Sequence, residues 1–271
     1  MSTLNFKDVN IHKREEVRQR RSRRPVETLR SQARDRRACL QLSAALSRPG
    51  VALALIAEVK RQALSGRQYR PEVDFEPEQL ARTYVENGAA AVSVLVDALF
   101  FGGSTELIQT VNGAIGGKVP ILYKEFVVDP YQALEAYALG ADALLIIARP
   151  PVDTIALQES IRQARELGME SMVEIFTEEG AEEALAAGAR IIGVNNRDYP
   201  TNTVDVERYS TIRAKLPDGI LSVSETGLKS VDDVRRARKL GFNGVLIGEA
   251  ILTASDVGAK VRELSHAGRV I

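Results

Sequence analysis

The chain has 271 residues, of which 45% are hydrophobic, so it can bury one large core, and a single α/β domain of roughly 250 residues fits this length. Lysine plus arginine number 36 and so do aspartate plus glutamate, so no net charge attracts nucleic acid or an anionic membrane. A single cysteine excludes an internal disulfide framework, and no apolar stretch approaches the ~20 residues of a membrane span or forms a signal peptide. We therefore expect a cytoplasmic protein, a monomer or a weak homo-oligomer, with neither nucleic acid nor a membrane as its partner.

Residues 1–50 are rich in arginine and poor in residues that favour strands, and one run within them is strongly basic. Such a run is compatible with a basic arm that binds nucleic acid. However, two glutamates interrupt the run, it lacks aromatic side chains on which bases stack, and Val26, Leu29 and Leu40 recur at near-helical spacings. We therefore predict that this segment, 1–50, is a helical extension packed on the domain that covers 51–271.

From residue 51 onward a pattern repeats, in which a helix-like segment ends at a glycine and a short apolar run follows. Glycine at this position is typical of a helix C-cap in the left-handed region. The runs are apolar without alternation, as expected for a parallel sheet covered on both faces. The glycines are Gly88, Gly140, Gly168, Gly188 and Gly241, and the predicted strands cover 54–60, 91–95, 121–124, 143–147, 171–175, 190–194, 220–224 and 244–247.

Eight predicted strands, with room for one helix between each pair, indicate an α/β fold of the (β/α)8 TIM-barrel class with an N-terminal helical extension. An open, doubly wound sheet is the alternative, but it usually has fewer strands and a glycine-rich turn after the first. Here the first strand runs into Glu58-Val59-Lys60-Arg61, and no G-x-G-x-x-G occurs in the chain. The barrel is therefore favoured, and no dinucleotide site is expected.

Polar residues end several of the otherwise apolar strands. A barrel places its active site at the C-terminal ends of its strands, so these residues are the candidates for chemistry. An unpaired charge buried at this end of the barrel is energetically unfavourable, so carboxylates and lysines that converge there are expected to pair with one another. Such pairing and burial shift their pKa values, as is typical of general acids and bases. The candidates are Glu58, Lys60, Lys124, Glu125, Glu174, Asn195, Asn196, Arg197, Ser224, Glu225 and Thr226.

Simpler interpretations of some of these residues stay open. Glu58 and Lys60 could form a structural ion pair at the rim of the barrel. Asn195, Asn196 and Arg197 could serve only to hold the loop after the sixth strand. Lys124 is harder to explain structurally, because a lysine that ends a buried strand has to reach an acidic partner or a pocket. The same reasoning favours a catalytic role for Glu174.

Neither metal binding nor imidazole catalysis is expected. His12 lies in the N-terminal segment and His266 in the last predicted helix, both outside the set of strand ends. Together with Cys39 they form no plausible metal cluster.

Glycines follow the last two predicted strands, at Gly227 and Gly248. Barrels commonly bind phosphate at these two strand ends, through backbone N–H groups and the N-terminus of a short helix. One such glycine is a weak signal, since a glycine after a strand often only makes a turn. Glycines at both expected ends predict a phosphate site.

Seven short motifs follow one another along the chain: Ile56-Ala57-Glu58-Val59-Lys60-Arg61, Ser93-Val94-Leu95, Phe101-Gly102-Gly103-Ser104, Lys124-Glu125-Phe126, Val173-Glu174-Ile175, Gly193-Val194-Asn195-Asn196-Arg197-Asp198 and Ser224-Glu225-Thr226-Gly227. In this order they resemble the motifs of the indole-3-glycerol phosphate synthase family. The resemblance covers nearly the whole chain, including Lys13-Arg14-Glu15-Glu16-Val17, and the Asn-Asn-Arg-Asp motif is fairly specific.

The resemblance implies closure of the pyrrole ring of 1-(o-carboxyphenylamino)-1-deoxyribulose 5-phosphate, with loss of carbon dioxide and water, in tryptophan biosynthesis. It implies a carbon–carbon lyase, a carboxy-lyase, that acts on a small phosphorylated substrate and needs no cofactor and no metal. Ring closure needs an acid, decarboxylation needs a site that tolerates a developing cation, and dehydration needs an acid–base pair.

By motif position, the resemblance assigns catalytic roles to Lys124, Lys60, Glu174, Glu58 and Asn195. Lys124 would be the general acid that protonates the substrate carbonyl, and Lys60 would hold the carboxylate. Glu58 and Glu174 would supply base and electrostatic functions, and the division of the second proton transfer among Lys60, Glu58 and Glu174 stays open. The substrate would be bound by Arg197, Glu225, Thr226, Gly227, Gly248 and Ser65, with Phe101, Phe126 and Leu144 lining the pocket for its aryl group.

The loop after Lys60 departs from the family pattern. The family usually has Ser-Pro-Ser there, whereas this chain has Ala63-Leu64-Ser65-Gly66, so a hydroxyl near the phosphate and a proline beside the aryl ring are missing. The hydroxyl corresponds to a charge-assisted hydrogen bond of about 1.5–3 kcal/mol. This departure keeps a second function open, that of a paralogous barrel enzyme of specialised metabolism acting on a different phosphorylated substrate.

Overall fold

Eight parallel strands close into a barrel in the computed structural model, which describes residues 6–69, 75–148, 154–198, 203–205 and 207–269. The barrel strands are β1 Ala54–Val59, β2 Ala91–Leu95, β3 Ile121–Lys124, β4 Ala143–Ile147, β5 Glu170–Ile175, β6 Ile191–Asn195, β9 Leu221–Glu225 and β10 Gly244–Ile247. They lie in the order β1-β10-β9-β6-β5-β4-β3-β2, and β1 pairs with both β2 and β10. The predicted (β/α)8 barrel is confirmed. A short antiparallel hairpin, β7 Arg197–Asp198 and β8 Thr203–Val204, follows β6.

Helices precede the barrel and connect its strands. None of the helices in the described ranges is both long and apolar enough to cross a membrane. They are α1 Phe6–Arg23, α2 Val26–Ala33, α3 Leu42–Leu46, α4 Pro77–Glu86, α5 Ala98–Phe101, α6 Glu106–Ile115, α7 Tyr131–Leu139, α8 Thr154–Glu166, α9 Glu178–Ala186, α10 Arg208–Lys215, α11 Val231–Lys239, α12 Glu249–Leu252 and α13 Val257–Ala267.

The predicted strand limits agree with the structure to within one residue. β2, β3, β4 and β10 begin and end where predicted, and β1 ends at Val59, so that Lys60 is the first residue after the strand. All five glycines predicted to cap helices have positive φ, from 77° at Gly168 to 110° at Gly140. A residue with a Cβ avoids this conformation, which is why glycine separates each of these helices from the next strand.

Alternate residues of each strand belong to two different cores. Side chains that point outward pack against the surrounding helices, in a cluster that includes Tyr123 and Leu144. Side chains that point inward form a second cluster inside the barrel, which includes Leu122 and Leu145. Because direction alternates along a strand, a shift of one residue moves a side chain from one core to the other.

The helices of the N-terminal segment pack on the barrel. α1 and α2 lie against α7, and Leu42 and Leu46 of α3 belong to the cluster inside the barrel. The backbone N–H of Ser43 donates to Glu170 of β5 at 2.8 Å. The basic run therefore lies in a helix that contacts the barrel.

Asp142 connects the segment between α2 and α3 to the barrel. This fully buried carboxylate accepts hydrogen bonds from Arg37 at 2.8 and 3.0 Å and lies 3.3 Å from Arg36. It also accepts from the backbone N–H groups of Leu40 and Ile121, at 3.0 Å each. These donors together offset the cost of removing the carboxylate from water.

The Asp142→Asn variant should have a free energy of unfolding lower by about 3 kcal/mol, because the amide removes a buried negative charge and faces N–H groups with a donor of its own. Urea denaturation measures the change. Asp232→Asn is the matched control, since its exposed ion pair with Arg235 should contribute less than about 1 kcal/mol. Equal losses in the two variants would contradict the role given to Asp142.

Candidate active site

A cavity of about 660 Å³ opens at the C-terminal ends of the barrel strands. Its lining contains every predicted catalytic and substrate-binding residue except Leu144. These residues are Glu58, Lys60, Ser65, Phe101, Lys124, Phe126, Glu174, Asn195, Arg197, Glu225, Thr226, Gly227 and Gly248. The structure therefore brings residues from seven of the eight strand ends and their loops to one place.

Lys124, at the end of β3, reaches two carboxylates from other strands. Its Nζ lies 2.9 Å from Glu174 Oε2, at the end of β5, and 2.7 Å from Glu225 Oε2, at the end of β9. Both glutamates are almost completely buried. A buried ammonium group is stable in this position because it is paired twice.

Lys60 and Glu58 form a second ion pair, between a partly buried lysine and a buried glutamate. The Lys60 Nζ lies 2.6 Å from Glu58 Oε2, and the same ammonium group lies 5.2 Å from the centre of the Tyr69 ring. The ion pair that the sequence left open as an alternative is therefore present, and it lies in the wall of the same cavity as Lys124. A pairing of this kind is compatible with both a structural and a catalytic role.

Two glycines leave room for two of these carboxylates. A Cβ on Gly193 of β6 would lie 2.1 Å from Glu225 Oε1, and a Cβ on Gly248 would lie 2.5 Å from Glu58 Oε2. Contacts this short do not occur, so any larger residue would displace a glutamate. Gly248, singled out as a phosphate ligand, thus also provides space for Glu58.

Burial and the crowding of carboxylates change the acidities in this cluster. Burial raises the pKa of Glu225 to about 8, with Lys124 opposing the shift and Glu174 adding to it. Burial also disfavours the charged form of Lys124, but the surrounding carboxylates of Glu174, Glu225 and Glu58 outweigh it. They hold the pKa of the lysine well above its usual value of 10.5. Lys124 therefore keeps its proton near neutral pH, and Glu225 loses its proton at a higher pH than an ordinary carboxyl group.

Asn196 positions the turn after β9. Its backbone N–H donates to the Glu225 carbonyl at 3.1 Å, and its Nδ2 donates to the carbonyls of Glu225 and Thr226 at 2.9 and 3.0 Å. Thr226 has a φ of 65°, the only positive value at a non-glycine residue in the described ranges. Asn196 thus holds a strained turn next to the cavity, while Asn195, which accepts from Arg197 N at 3.0 Å, lines the cavity itself.

Apolar side chains form one side of the cavity. The rings of Phe101 and Phe126 are stacked, with centroids 6.4 Å apart, and Leu145 and Ile147 of β4 complete the surface. The prediction that Leu144 lines this pocket is wrong. Leu144 points outward and packs against the helices, and its neighbour Leu145 takes the inward position.

Sequence reasoning missed the contacts of the loop after β1. Arg67 lies 2.9 Å from Glu249 at the start of α12, and the Tyr69 hydroxyl donates to the same carboxylate at 3.4 Å. Both loop residues line the cavity, together with Ser65. The loop therefore rests on the short helix that follows Gly248, although no periodic pattern in its sequence indicates this contact.

Fold and site together define a (β/α)8-barrel enzyme with acid–base groups at the C-terminal ends of its strands. Residues 6–264 match the family described as indole-3-glycerol phosphate synthase, so the chain belongs to this family of carboxy-lyases. Proteins of that name include one from Roseiflexus castenholzii, 41% identical over 93% of this chain and 95% of the relative. Another, from Carboxydothermus hydrogenoformans, is 38% identical over 93% of this chain and 96% of the relative. The predicted family membership is confirmed.

Solved structures of other barrels resemble this one. Thiamine phosphate pyrophosphorylase from Pyrococcus furiosus has a TM-score of 0.60 at 21% identity and covers 80% of this chain and 95% of its own. The 3-hexulose-6-phosphate synthase of Salmonella typhimurium has a TM-score of 0.63 at 17% identity and covers 79% of this chain and 98% of its own. At these identities the likeness shows the barrel fold alone.

The Glu225→Gln variant should change how stability depends on pH. The carboxyl pKa is about 8 in the folded protein, against a usual 4.5, so between these values the folded state holds one proton more than the unfolded chain. The contribution of this group to the free energy of unfolding therefore falls as pH rises, by at most about 1.4 kcal/mol per pH unit. Urea denaturation across this range should show the variant gaining stability relative to wild type. If the difference in the free energy of unfolding between the variant and wild type did not vary with pH, the raised pKa of Glu225 would be contradicted.

Replacement of Leu145 by alanine should weaken substrate binding, because it removes apolar surface from the cavity wall. We expect the KM to rise about tenfold, as for the loss of one or two methylene contacts. Leu144→Ala is the matched control, since both leucines are buried on the same strand and each loss should cost about 2–5 kcal/mol of stability. Steady-state kinetics below the melting temperature of both variants measures the contrast. An equal rise of KM in both would contradict the inward position of Leu145.

Proposed function

We propose that this chain closes the pyrrole ring of 1-(o-carboxyphenylamino)-1-deoxyribulose 5-phosphate to form indole-3-glycerol phosphate, carbon dioxide and water. The observation that carries the proposal is the Lys124 ammonium group, held between Glu174 and Glu225 beside a stacked pair of aromatic rings. Membership of the indole-3-glycerol phosphate synthase family supports the same reaction.

In the first step, Lys124 donates a proton to the carbonyl oxygen of the substrate while the ring carbon that bears the carboxylate attacks the carbonyl carbon. A carbon–carbon bond forms, the carbonyl becomes a hydroxyl, and positive charge spreads over the ring and its nitrogen. Glu174, 2.9 Å from the lysine, supplies negative charge beside this cation. Phe101 and Phe126 hold the aryl ring in the orientation that the attack requires.

In the second step, carbon dioxide leaves and its bonding electrons restore the aromatic ring. Loss of the new hydroxyl as water, with a proton from the neighbouring carbon, then completes the indole. The Lys60 and Glu58 pair, 2.6 Å apart, offers an acid and a base for this dehydration, with Glu174 as a second base. Before decarboxylation, the Lys60 ammonium group holds the substrate carboxylate.

The remaining residues of the cavity bind the sugar phosphate. Asn195 and Arg197 contact its hydroxyls, and Glu225 and Thr226 complete the polar wall. The phosphate lies at the turns of Gly227 and Gly248, near Ser65 of the loop after β1. Ala63, which replaces a serine of the family pattern, also lines the cavity, so one hydroxyl is absent from this end of the site.

The same proposal extends to the organisation of the chain. Residues 1–50 form a helical extension and 51–271 the catalytic barrel, which is supported by the packing of α1, α2 and α3 on the barrel. A cytoplasmic monomer or weak homo-oligomer suits a biosynthetic enzyme with a single, half-buried, free cysteine.

The kcat of the Lys124→Met variant should be lower than that of wild type by a factor of about 10² to 10⁴, the range expected for removal of a general acid. The rise of indole fluorescence on incubation with the carboxyphenylamino-deoxyribulose phosphate measures turnover. Lys118→Met is the matched control, because Lys118 is exposed in the turn before the same strand. It should turn over at the wild-type rate.

Two outcomes would contradict the proposal. A folded wild-type protein that forms no indole product would favour the paralogous enzyme with a different phosphorylated substrate, and would point to the Ala63-Leu64 loop. Full activity of Lys124→Met would remove the general-acid role from Lys124 while leaving the overall reaction in place.

A further inference from the structure

A cluster of buried charges lies behind the end of β3, and the proposed chemistry does not use it. Its centre is Lys13 of α1, which is 1% exposed. The Lys13 Nζ lies 2.7 Å from Asp97, after β2, and 3.1 Å from Glu125, after β3. It also lies 2.8 Å from Glu16, one turn further along α1. A lysine in a strongly basic run is thus one of the most deeply buried charges of the protein.

Arg20 of the same helix extends the cluster. Residues 13, 16 and 20 share one face of α1, at the spacing of successive helical turns. Arg20 lies 3.2 Å from Glu135 of α7 and 3.7 Å from Glu125, and its guanidinium group donates to the Tyr123 hydroxyl at 3.5 Å. Helix α1 therefore contacts both chain neighbours of Lys124.

The carboxylates that Lys13 holds also order the aromatic wall of the cavity. Asp97 caps α5 by accepting from the backbone N–H groups of Phe100 and Phe101, at 2.6 and 3.2 Å. Glu125 accepts from the backbone N–H of Phe126 at 2.8 Å. One ammonium group therefore links the two backbone segments that carry the stacked rings.

We propose that Lys13 is a positioning residue for the ring closure: through Asp97 and Glu125 it fixes the Phe101 and Phe126 rings and the strand end that presents Lys124. This inference rests on the proposed function, because the effect of Lys13 on kcat and KM is measured with the proposed ring closure. It gives α1 a part in catalysis although no atom of Lys13 lines the cavity.

The charges of Lys13 and of its carboxylate partners stabilise one another, so loss of either side should disturb the other. Burial disfavours the charged form of Lys13, but the carboxylates of Glu125, Asp97 and Glu16 outweigh it and raise the pKa of the lysine. Burial raises the pKa of Glu125 to about 7, with Lys13 opposing the shift. Removal of the ammonium group would leave Glu125 and Asp97 close together without their common partner, and they would move apart or take up a proton.

The test compares four variants with wild type: Lys13→Met, Glu125→Gln, the double variant that combines them, and Arg21→Met. The double variant removes the buried cation together with one buried carboxylate, so it should recover much of the stability that Lys13→Met loses. Arg21→Met is the matched control, because Arg21 lies on the same helix in a half-exposed ion pair with Asp129. Melting temperatures, kcat and KM are measured for each, with the kinetics well below every melting temperature.

We expect the double variant to have a kcat lower than that of Glu125→Gln alone by on the order of 10- to 100-fold, as for a displacement of about 1 Å of reacting groups. The KM of the double variant should also be higher than that of Glu125→Gln alone. Arg21→Met should have the kcat and KM of wild type. Recovery of kcat and KM together with stability in the double variant would overturn the proposal, because Lys13 would then only neutralise buried charge.

A second measurement separates this inference from the proposed function. Protein labelled with fluorinated phenylalanine gives a fluorine resonance for each of its seven phenylalanines, and single replacements assign those of Phe101 and Phe126. Relative to Glu125→Gln alone, the two resonances should shift and broaden in the double variant, and in Arg21→Met they should match those of wild type. If wild type forms no indole product, the proposed function fails, and these spectra still decide whether Lys13 orders the rings. Unchanged resonances in the double variant would overturn the inference.

Discussion

The pairing of Lys124 with Glu174 and Glu225 is the interaction on which the arrangement of the site depends. β3 and β9, which carry Lys124 and Glu225, are separated by three other strands in the ring of eight on either side, so the contact spans the barrel. Inside a closed barrel a charge is tolerated only when it is paired. The surrounding carboxylates keep Lys124 protonated, whereas burial, opposed by Lys124, raises the pKa of Glu225.

A second set of paired charges lies outside this one, between the barrel and α1. Its carboxylates Asp97 and Glu125 reach the cavity lining, and they accept hydrogen bonds from the backbone that carries the aromatic rings. In the proposed mechanism, the inner set carries out the proton transfers and the outer set fixes the positions of the groups around them. The N-terminal helices are in this sense part of the site, and they also fill the opposite end of the barrel through Leu42 and Leu46.

The strands, the capping glycines and the polar residues of the candidate site could be predicted from the sequence, because polar residues that end parallel strands necessarily meet at one face of a barrel. Ser65, Phe101 and Phe126 were assigned only through the family resemblance. The error at Leu144 has a physical cause: both faces of these strands are apolar, so the run of residues does not reveal which side chain points inward. The cluster around Lys13 was hidden because a buried lysine in a basic run looks like an exposed one. The contacts of Arg67 and Tyr69 lie in a loop, where no periodicity indicates the partner.

The space that Gly193 and Gly248 leave for Glu225 and Glu58 has a consequence for substitutions at the two glycines. In each case a glycine and a carboxylate from neighbouring strands of the barrel share one space, so a larger residue at the glycine requires the glutamate side chain opposite it to move. Replacement of either glycine therefore alters the position of a charged group in the cavity as well as the shape of the backbone. The segment after β1, with Ala63 and Leu64 in place of the family's serine and proline, is where this chain departs from the family pattern.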